Sequence, residues 1–138
     1  IASNLATMSE LKTRIIIVVT GEGGSGGALA LGVGDHICML EHAIYSVASP
    51  EACASIVWRS SEKAEAAAEA MKLTAKDLIK LKIIDEIIEE PLGGAHRDYK
   101  MISKEVKQSL LSNIENLNKI PLERLLKRRY SRLTEIGK

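Results

Sequence analysis

The sequence predicts an α/β fold, and three observations carry that expectation. Ile15 to Val19 is an unbroken run of β-branched residues, the composition of a strand covered on both faces. Gly21-Glu-Gly-Gly-Ser-Gly-Gly27 follows almost at once and leads into apolar, helix-favouring Ala28 to Leu31. Strand, glycine turn and helix are thus expected in immediate succession. Further on, Ile102, Val106, Leu110, Ile114 and Leu117 recur at helical spacing, which marks one face of a long helix.

Taken in order, residues 2 to 12 read as the tail of an amphipathic helix, with Ile1, Leu5 and Met8 on one face. The chain opens inside that helix, so it reads as a piece of something longer. Strand Ile15 to Thr20 comes next, then the glycine turn and a short helix ending near Gly32 or Gly34. Asp35 to Glu41 and Ala43 to Val47 read as two further short strands. Ser49-Pro50-Glu51 is a strong helix start: a capping serine, proline at the first helical position, an acid toward the dipole. That helix should run to about Trp58. Ser61 is expected to cap an alanine-rich helix, Glu62 to Met71, and Thr74-x-x-Asp77 to form a capping box for a third, through Leu81. Ile83 to Ile88 reads as a strand. Pro91 to Arg97 is a second glycine-bearing loop, read as a plain turn with its charges toward water. Pro121 opens a last helix, in which Lys127, Arg128, Arg129 and Arg132 are expected to form a solvated basic end. No internal repeat is visible.

Composition narrows the function. A length of 138 residues suffices for one modest core. The net charge of +1 gives no bulk electrostatic case for nucleic acid or a membrane surface. With no Phe and a single Trp there is little on which bases could stack. No apolar run approaches the ~18 residues of a membrane span. Cys38 and Cys53 lie in apolar surroundings, outside any C-x-x-C pair. They read as buried free thiols in a reducing, cytoplasmic compartment. His36, His42 and His96 are scattered, so no metal site is expected.

The glycine turn is the candidate site. Glycine lets another molecule approach the backbone without a Cβ in the way, and the first N–H groups of a helix have no intrahelical partner. A negative oxygen is the natural guest. Three motif readings compete. Gly21-x-Gly23-x-x-Gly26, with Glu41 about 20 residues on, matches a dinucleotide fingerprint, but Gly32 and Gly34 interrupt the long helix that motif needs. Gly23-x-Ser25-x-Gly27 matches the nucleophile elbow of serine hydrolases. There Ser25 would be the nucleophile, His42 or His96 the base and Asp85 a possible orienter. A phosphate-binding P-loop is rejected, since no lysine follows the turn. A bare tight turn is the fourth possibility.

The run from Gly21 to Ala30, then Gly32-Val-Gly-Asp35, Tyr45-Ser-Val-Ala-Ser-Pro-Glu51, Cys53 to Trp58, Ala68 to Met71, Glu90 to Arg97 and Arg128 to Leu133 together resemble the C-terminal part of the carboxyltransferase α subunit of bacterial-type, multi-subunit acetyl-CoA carboxylase. The resemblance implies part of a crotonase-like (ClpP/crotonase) fold over 1–98, built from repeated ββα units, with a helical segment over 99–138. It implies transfer of a carboxyl group from carboxybiotin, borne on a separate biotin carboxyl carrier protein, to acetyl-CoA, giving malonyl-CoA for fatty acid biosynthesis. It implies a separate β subunit with a zinc ribbon that binds the CoA ester, in an α2β2 assembly. On this reading the N–H groups of Gly26 and Gly27 meet the negative ureido oxygen of the departing biotin. Gly23, Gly24 and Ser25 shape a reversal too crowded for side chains. Hydratases of that fold carry a glutamate after their turn; here Ala28-Leu29-Ala30 stands there, which disfavours activation of water.

Overall fold

A computed structural model describes residues 1–137; Lys138, the end of the expected helical segment, lies outside the described residues. Strands β1 (Ile16–Val19), β3 (His36–Leu40) and β5 (Glu86–Ile88) form a parallel sheet in the order β1-β3-β5. Beside it, β2 (Glu22–Gly24) and β4 (Ile44–Ser46) make a second parallel pair. Helix α1 (Ala2–Glu10) precedes β1, and α2 (Ser25–Leu31) follows β2. After β4 come α3 (Pro50–Trp58), α4 (Ala64–Met71) and α5 (Ala75–Lys80); α6 (Tyr99–Asn118) and α7 (Leu122–Glu135) close the chain. The succession of a strand in one sheet, a short strand in the other and then helix occurs twice. The repeat that is invisible in the sequence is therefore present in the structure.

β3 is the central strand, and its Ile37, Cys38, Met39 and Leu40 are all buried, as an apolar strand paired on both edges requires. Around it Val19, Ala43, Tyr45, Leu78, Ile84, Ile88 and Ile102 complete one core. α6 lies against β1 and β5, and α7 against α1. Among the described residues no helix is long and apolar enough to cross a membrane.

Several local expectations shift. Ser49 does cap α3, accepting from the N–H of Ala52 at 3.2 Å. Ser60, not Ser61, caps the next element, and Ser61–Lys63 is a 3-10 turn ahead of α4. Thr74 and Asp77 form no capping box; the threonine hydroxyl donates to the Asp77 carboxylate at 2.8 Å. β5 begins only at Glu86; at Asp85 the side chain, not the backbone carbonyl, accepts from the N–H of Ile37. Ile114, expected on the buried face of α6, is 45% exposed. The largest correction concerns α7. Arg129, expected in solvent, is 1% exposed, and the Arg132 side chain is 14% exposed.

Candidate functional site

Because β1, β3 and β5 are parallel, their carboxyl ends share one edge. The glycine turn leaves that edge after β1, the turn at His42 after β3, and the second glycine loop after β5. Ligands of open α/β sheets gather at this edge. Glu90 ties two of the three segments together. One of its carboxylate oxygens accepts from the N–H of Ala95 and the other from the N–H of His42, both at 2.7 Å. In the second loop Gly93 and Gly94 take φ of 89° and 100°, which demands glycine. His96 and Arg97 there are exposed.

In the first turn, Gly24 is extended (φ −130°, ψ 156°) and α2 begins at Ser25. The left-handed backbone of this reversal sits at Ser25, with φ 62°, and not at any glycine of the turn. Among the described residues no side chain caps α2. The amides of its first turn, Gly26 and Gly27 included, therefore have no side-chain partner, and helix geometry gives them none. The crowding expected at this reversal is confined to Gly23, where a Cβ would stand 3.0 Å from Tyr45 Cδ2 and 3.1 Å from Val19 Cγ1. At Gly24 and Gly27 a Cβ would meet nothing within 4 Å, and at Gly26 only Ile1 Cδ1 at 3.7 Å. Neither backbone strain nor internal packing requires glycine at these three positions. What their bareness leaves free is the approach from outside.

Tyr45 supports the turn from beneath, a role that no local pattern in the sequence reveals. Its hydroxyl donates to the carbonyl of Ala28 at 3.2 Å, and its ring packs where a side chain at Gly23 or Gly32 would go. Burial pushes the phenol above its ordinary range, against the pull of Arg132. A hollow of about 280 Å³ runs along β1 into the turn, bounded by Val19, Thr20, Gly23, Ala28, Leu31 and Tyr45.

The amino ends of the strands are built for stability. The Asp35 carboxylate accepts from the N–H of Ile15 while its own N–H donates to the Ile15 carbonyl, both at 2.8 Å. Asp85 repeats this with Ile37, again at 2.8 Å both ways. Each aspartate also meets an arginine of α7: Arg129 for Asp35 and Arg132 for Asp85. The sequence signal was an aspartate directly before each strand, in Gly34-Asp35-His36-Ile37 and Ile84-Asp85-Glu86-Ile87.

Next to these clasps, His36 Nε2 lies 3.2 Å from Glu86 Oε2. The Asn113 amide donates to the same oxygen at 2.6 Å. Cys38 Sγ is 3.7 Å from it and 3.5 Å from Ser109 Oγ. Burial works against the Glu86 charge, but the Ser109 hydroxyl, the Asn113 amide and the His36 ring outweigh it, and the carboxyl titrates below its ordinary value. The histidines expected to be scattered thus include one that converges with a cysteine and an acid.

The serine-hydrolase constellation is not brought together. Ser25 is exposed and, among the described residues, its hydroxyl makes no hydrogen bond; His42 and His96 are exposed on other loops. Asp85 is engaged by Ile37 and Arg132, with His36 at 3.9 Å, and so does not orient either expected base.

Residues 1–137 match the family model described as acetyl co-enzyme A carboxylase carboxyltransferase-like. Over 137 residues the chain is 60% identical to the acetyl-coenzyme A carboxylase carboxyl transferase subunit alpha of Histophilus somni (strain 129Pt). It is 51% identical to the protein of that name from Alkaliphilus oremlandii (strain OhILAs). Each match covers 99% of this chain and 43% of the relative, so the chain spans less than half the length of these curated relatives. Among solved structures it is similar to one chain of a Pseudomonas malonate decarboxylase hetero-tetramer in complex with coenzyme A, with a TM-score of 0.70 and 19% identity over 93% of this chain and 51% of that one. It is also similar to transcarboxylase 12S, with a TM-score of 0.67 and 20% identity over 87% and 24%.

Proposed function

Since the chain belongs to the acetyl-CoA carboxylase carboxyltransferase-like family and has part of a crotonase-like fold, we propose that it forms one wall of a carboxyltransferase site at the glycine turn. The reaction is transfer of a carboxyl group to acetyl-CoA, giving malonyl-CoA. Carboxybiotin, borne on a biotin carboxyl carrier protein, would supply the activated carboxyl group on a ureido nitrogen; negative charge would develop on its ureido oxygen as that group leaves, and the freed nitrogen would take the proton lost by the acetyl methyl. The amides of Gly26 and Gly27 donate to that oxygen, and Gly23, Gly24 and Ser25 set the turn that aims them. A β subunit completes the site from the CoA side, in an α2β2 assembly in the cytoplasm. The division at residue 98, between carboxyltransferase part and helical segment, belongs to the same proposal.

The observation that carries this reading is the bareness of Gly24, Gly26 and Gly27. A Cβ at Gly24 or Gly27 would meet nothing within 4 Å, and at Gly26 only Ile1 Cδ1 at 3.7 Å, so the backbone beside the uncapped amides is open to an incoming oxygen. Fixed donors of this kind need no proton transfer to act, and one of them is worth about 3 kcal/mol of barrier. No acidic or basic side chain of α2 takes part, in keeping with Ser25-Gly-Gly-Ala-Leu-Ala-Leu31.

Gly26→Ala and Gly27→Ala test it directly. Neither methyl clashes within the fold, and alanine favours helix by up to ~1 kcal/mol. Malonyl-CoA formation by the intact protein with its β partner should fall by about 100-fold or more while the far-ultraviolet dichroism stays unchanged. Undiminished turnover in both variants would sink the donor assignment. One observation favours a second reading, that of a serine hydrolase: the left-handed backbone of Ser25, a strain found where nucleophiles sit. Labelling of Ser25 by a fluorophosphonate would support it.

A further inference from the structure

We propose that His36, Cys38 and Glu86 form a zinc-binding site at the amino end of the sheet, apart from the glycine turn. His36 and Cys38 are two residues apart on β3, which puts both on one face of the strand. Glu86 stands directly opposite Cys38 in the ladder with β5. One ligand atom from each residue lies within 4.8 Å of the others.

Two of the three separations match a tetrahedral ion, and the third, from His36 to Cys38, is within 4.8 Å. With Zn–N, Zn–O and Zn–S bonds of about 2.0, 2.1 and 2.3 Å, tetrahedral angles place N and O ~3.4 Å apart and S and O ~3.6 Å apart. Here His36 Nε2 and Glu86 Oε2 are 3.2 Å apart, and Cys38 Sγ and Glu86 Oε2 are 3.7 Å apart. An imidazole, a thiolate and a carboxylate are the donors that borderline-soft zinc takes. A neutral imidazole and two anions also balance a divalent charge in a place where little water remains. The Cys38 side chain is fully buried, while the His36 and Glu86 side chains are 16% and 33% exposed, so an ion has a way in. The fourth position falls to water.

The surroundings add the outer layer that metal ligands need to stay oriented. Asn113 donates to Glu86 Oε2 at 2.6 Å and to the Ser109 carbonyl at 2.9 Å, which holds the carboxylate in place from α6. Ser109 Oγ lies 3.5 Å from Cys38 Sγ. His36 Nδ1 is 3.9 Å from the Asp85 carboxylate, too far for a hydrogen bond, so Asp85 adds a nearby negative charge but does not fix the ring. Acidic surface clusters commonly lack all of this.

The test uses the intact protein, without its β partner, stripped with a chelator. Dialysis against Zn²⁺ followed by elemental analysis should return about one ion per chain, and Co²⁺ should give a thiolate-to-cobalt charge-transfer band. His36→Gln and Glu86→Gln should each weaken binding by more than ~100-fold, and Asn113→Ala by ~10- to 100-fold, the range for an outer partner. Cys38→Ser should abolish the charge-transfer band, and Cys53→Ser should leave it intact. Should Cys38→Ser fail to fold, His36→Gln decides, since its side chain is at the strand end and partly exposed. Absence of retained zinc, unchanged affinity in His36→Gln, or a cobalt spectrum without the thiolate band would each overturn the site.

Discussion

The guanidinium of Arg129 and the carboxylate of Asp35 meet face to face with both side chains fully buried. Nε donates to Oδ1 at 2.9 Å and Nη2 to Oδ2 at 2.7 Å. The remaining donors of Arg129 go to the carbonyls of Met8, Ser9, Leu11 and Thr13 at 2.7–3.3 Å. One side chain of α7 therefore closes the end of α1, fastens the segment entering β1 and neutralises the aspartate that starts β3.

This pair makes a sharp stability prediction. Lysine keeps the charge of Arg129 but not the planar fork, so Arg129→Lys should leave Asp35 and several carbonyls poorly paired. A loss of about 3–5 kcal/mol in urea unfolding is expected. Arg129→Met combined with Asp35→Asn should lose less than the two single changes summed, because the double variant leaves no buried charge alone. Strict additivity would show that the pair does not couple.

A second prediction follows from Tyr45. A Cβ at Gly32 would clash with the Tyr45 hydroxyl oxygen, so Gly32→Ala should destabilise by about 1–3 kcal/mol through overpacking. Tyr45→Phe alone forfeits the bond to the Ala28 carbonyl, about 1 kcal/mol. In the Gly32→Ala background, however, removing that hydroxyl relieves the clash and should stabilise. A reversal of sign between the two backgrounds, read from thermal unfolding, is the expected outcome; equal effects would place the ring elsewhere.

How far the sequence foretells these contacts depends on their range. The start of α3 was legible because Ser49, Pro50 and Glu51 act within one turn. The density of glycines after β1 announces a bare turn, yet not that Ser25 carries its left-handed backbone. The role of Arg129 is hidden in the sequence, because its neighbours Lys127 and Arg128 suggest a solvated helix end, while its partner lies 94 residues earlier. His36 and Glu86 likewise meet across 50 residues, through a ladder register that no local pattern specifies. The family resemblance supplied the fold and the proposed chemistry without revealing either of these long-range pairs.

Ser25 separates the two functional readings. At φ 62° a residue with a Cβ is strained by ~1–2 kcal/mol, whereas glycine is not. Ser25→Gly should unfold within about 1 kcal/mol of the parent, relief of strain being offset by the greater freedom of the unfolded chain. If amides do the chemistry, this variant keeps most of its carboxyltransferase activity; if the serine is a nucleophile, turnover disappears. Rates of malonyl-CoA formation and of ester hydrolysis in the same variant decide between them.

Cys38 gives a pH prediction whose sign follows from its surroundings. Burial pushes its thiol from 9.0 up to about 11, and the nearby Glu86 and Asp85 carboxylates push the same way, against a hydrogen bond with Ser109. The fold thus favours the protonated thiol. Its contribution to stability is complete below pH 9.0 and is lost as pH rises through about 11. In chelator-treated protein, urea midpoints should fall across that window, and Cys38→Ala should flatten the part due to this group. At lower pH the thiolate fraction of Cys38 is ~100-fold below that of an ordinary thiol, and its buried sulfur is out of reach of a bulky thiol reagent, though not of a small ion entering past His36 and Glu86. Cys53, which is only partly buried, should consume the first equivalent of a thiol reagent, with Cys38 reacting at the rate of unfolding. Two equal fast phases, or a midpoint that does not move between pH 9 and 11, would mean that Cys38 is neither enclosed nor raised.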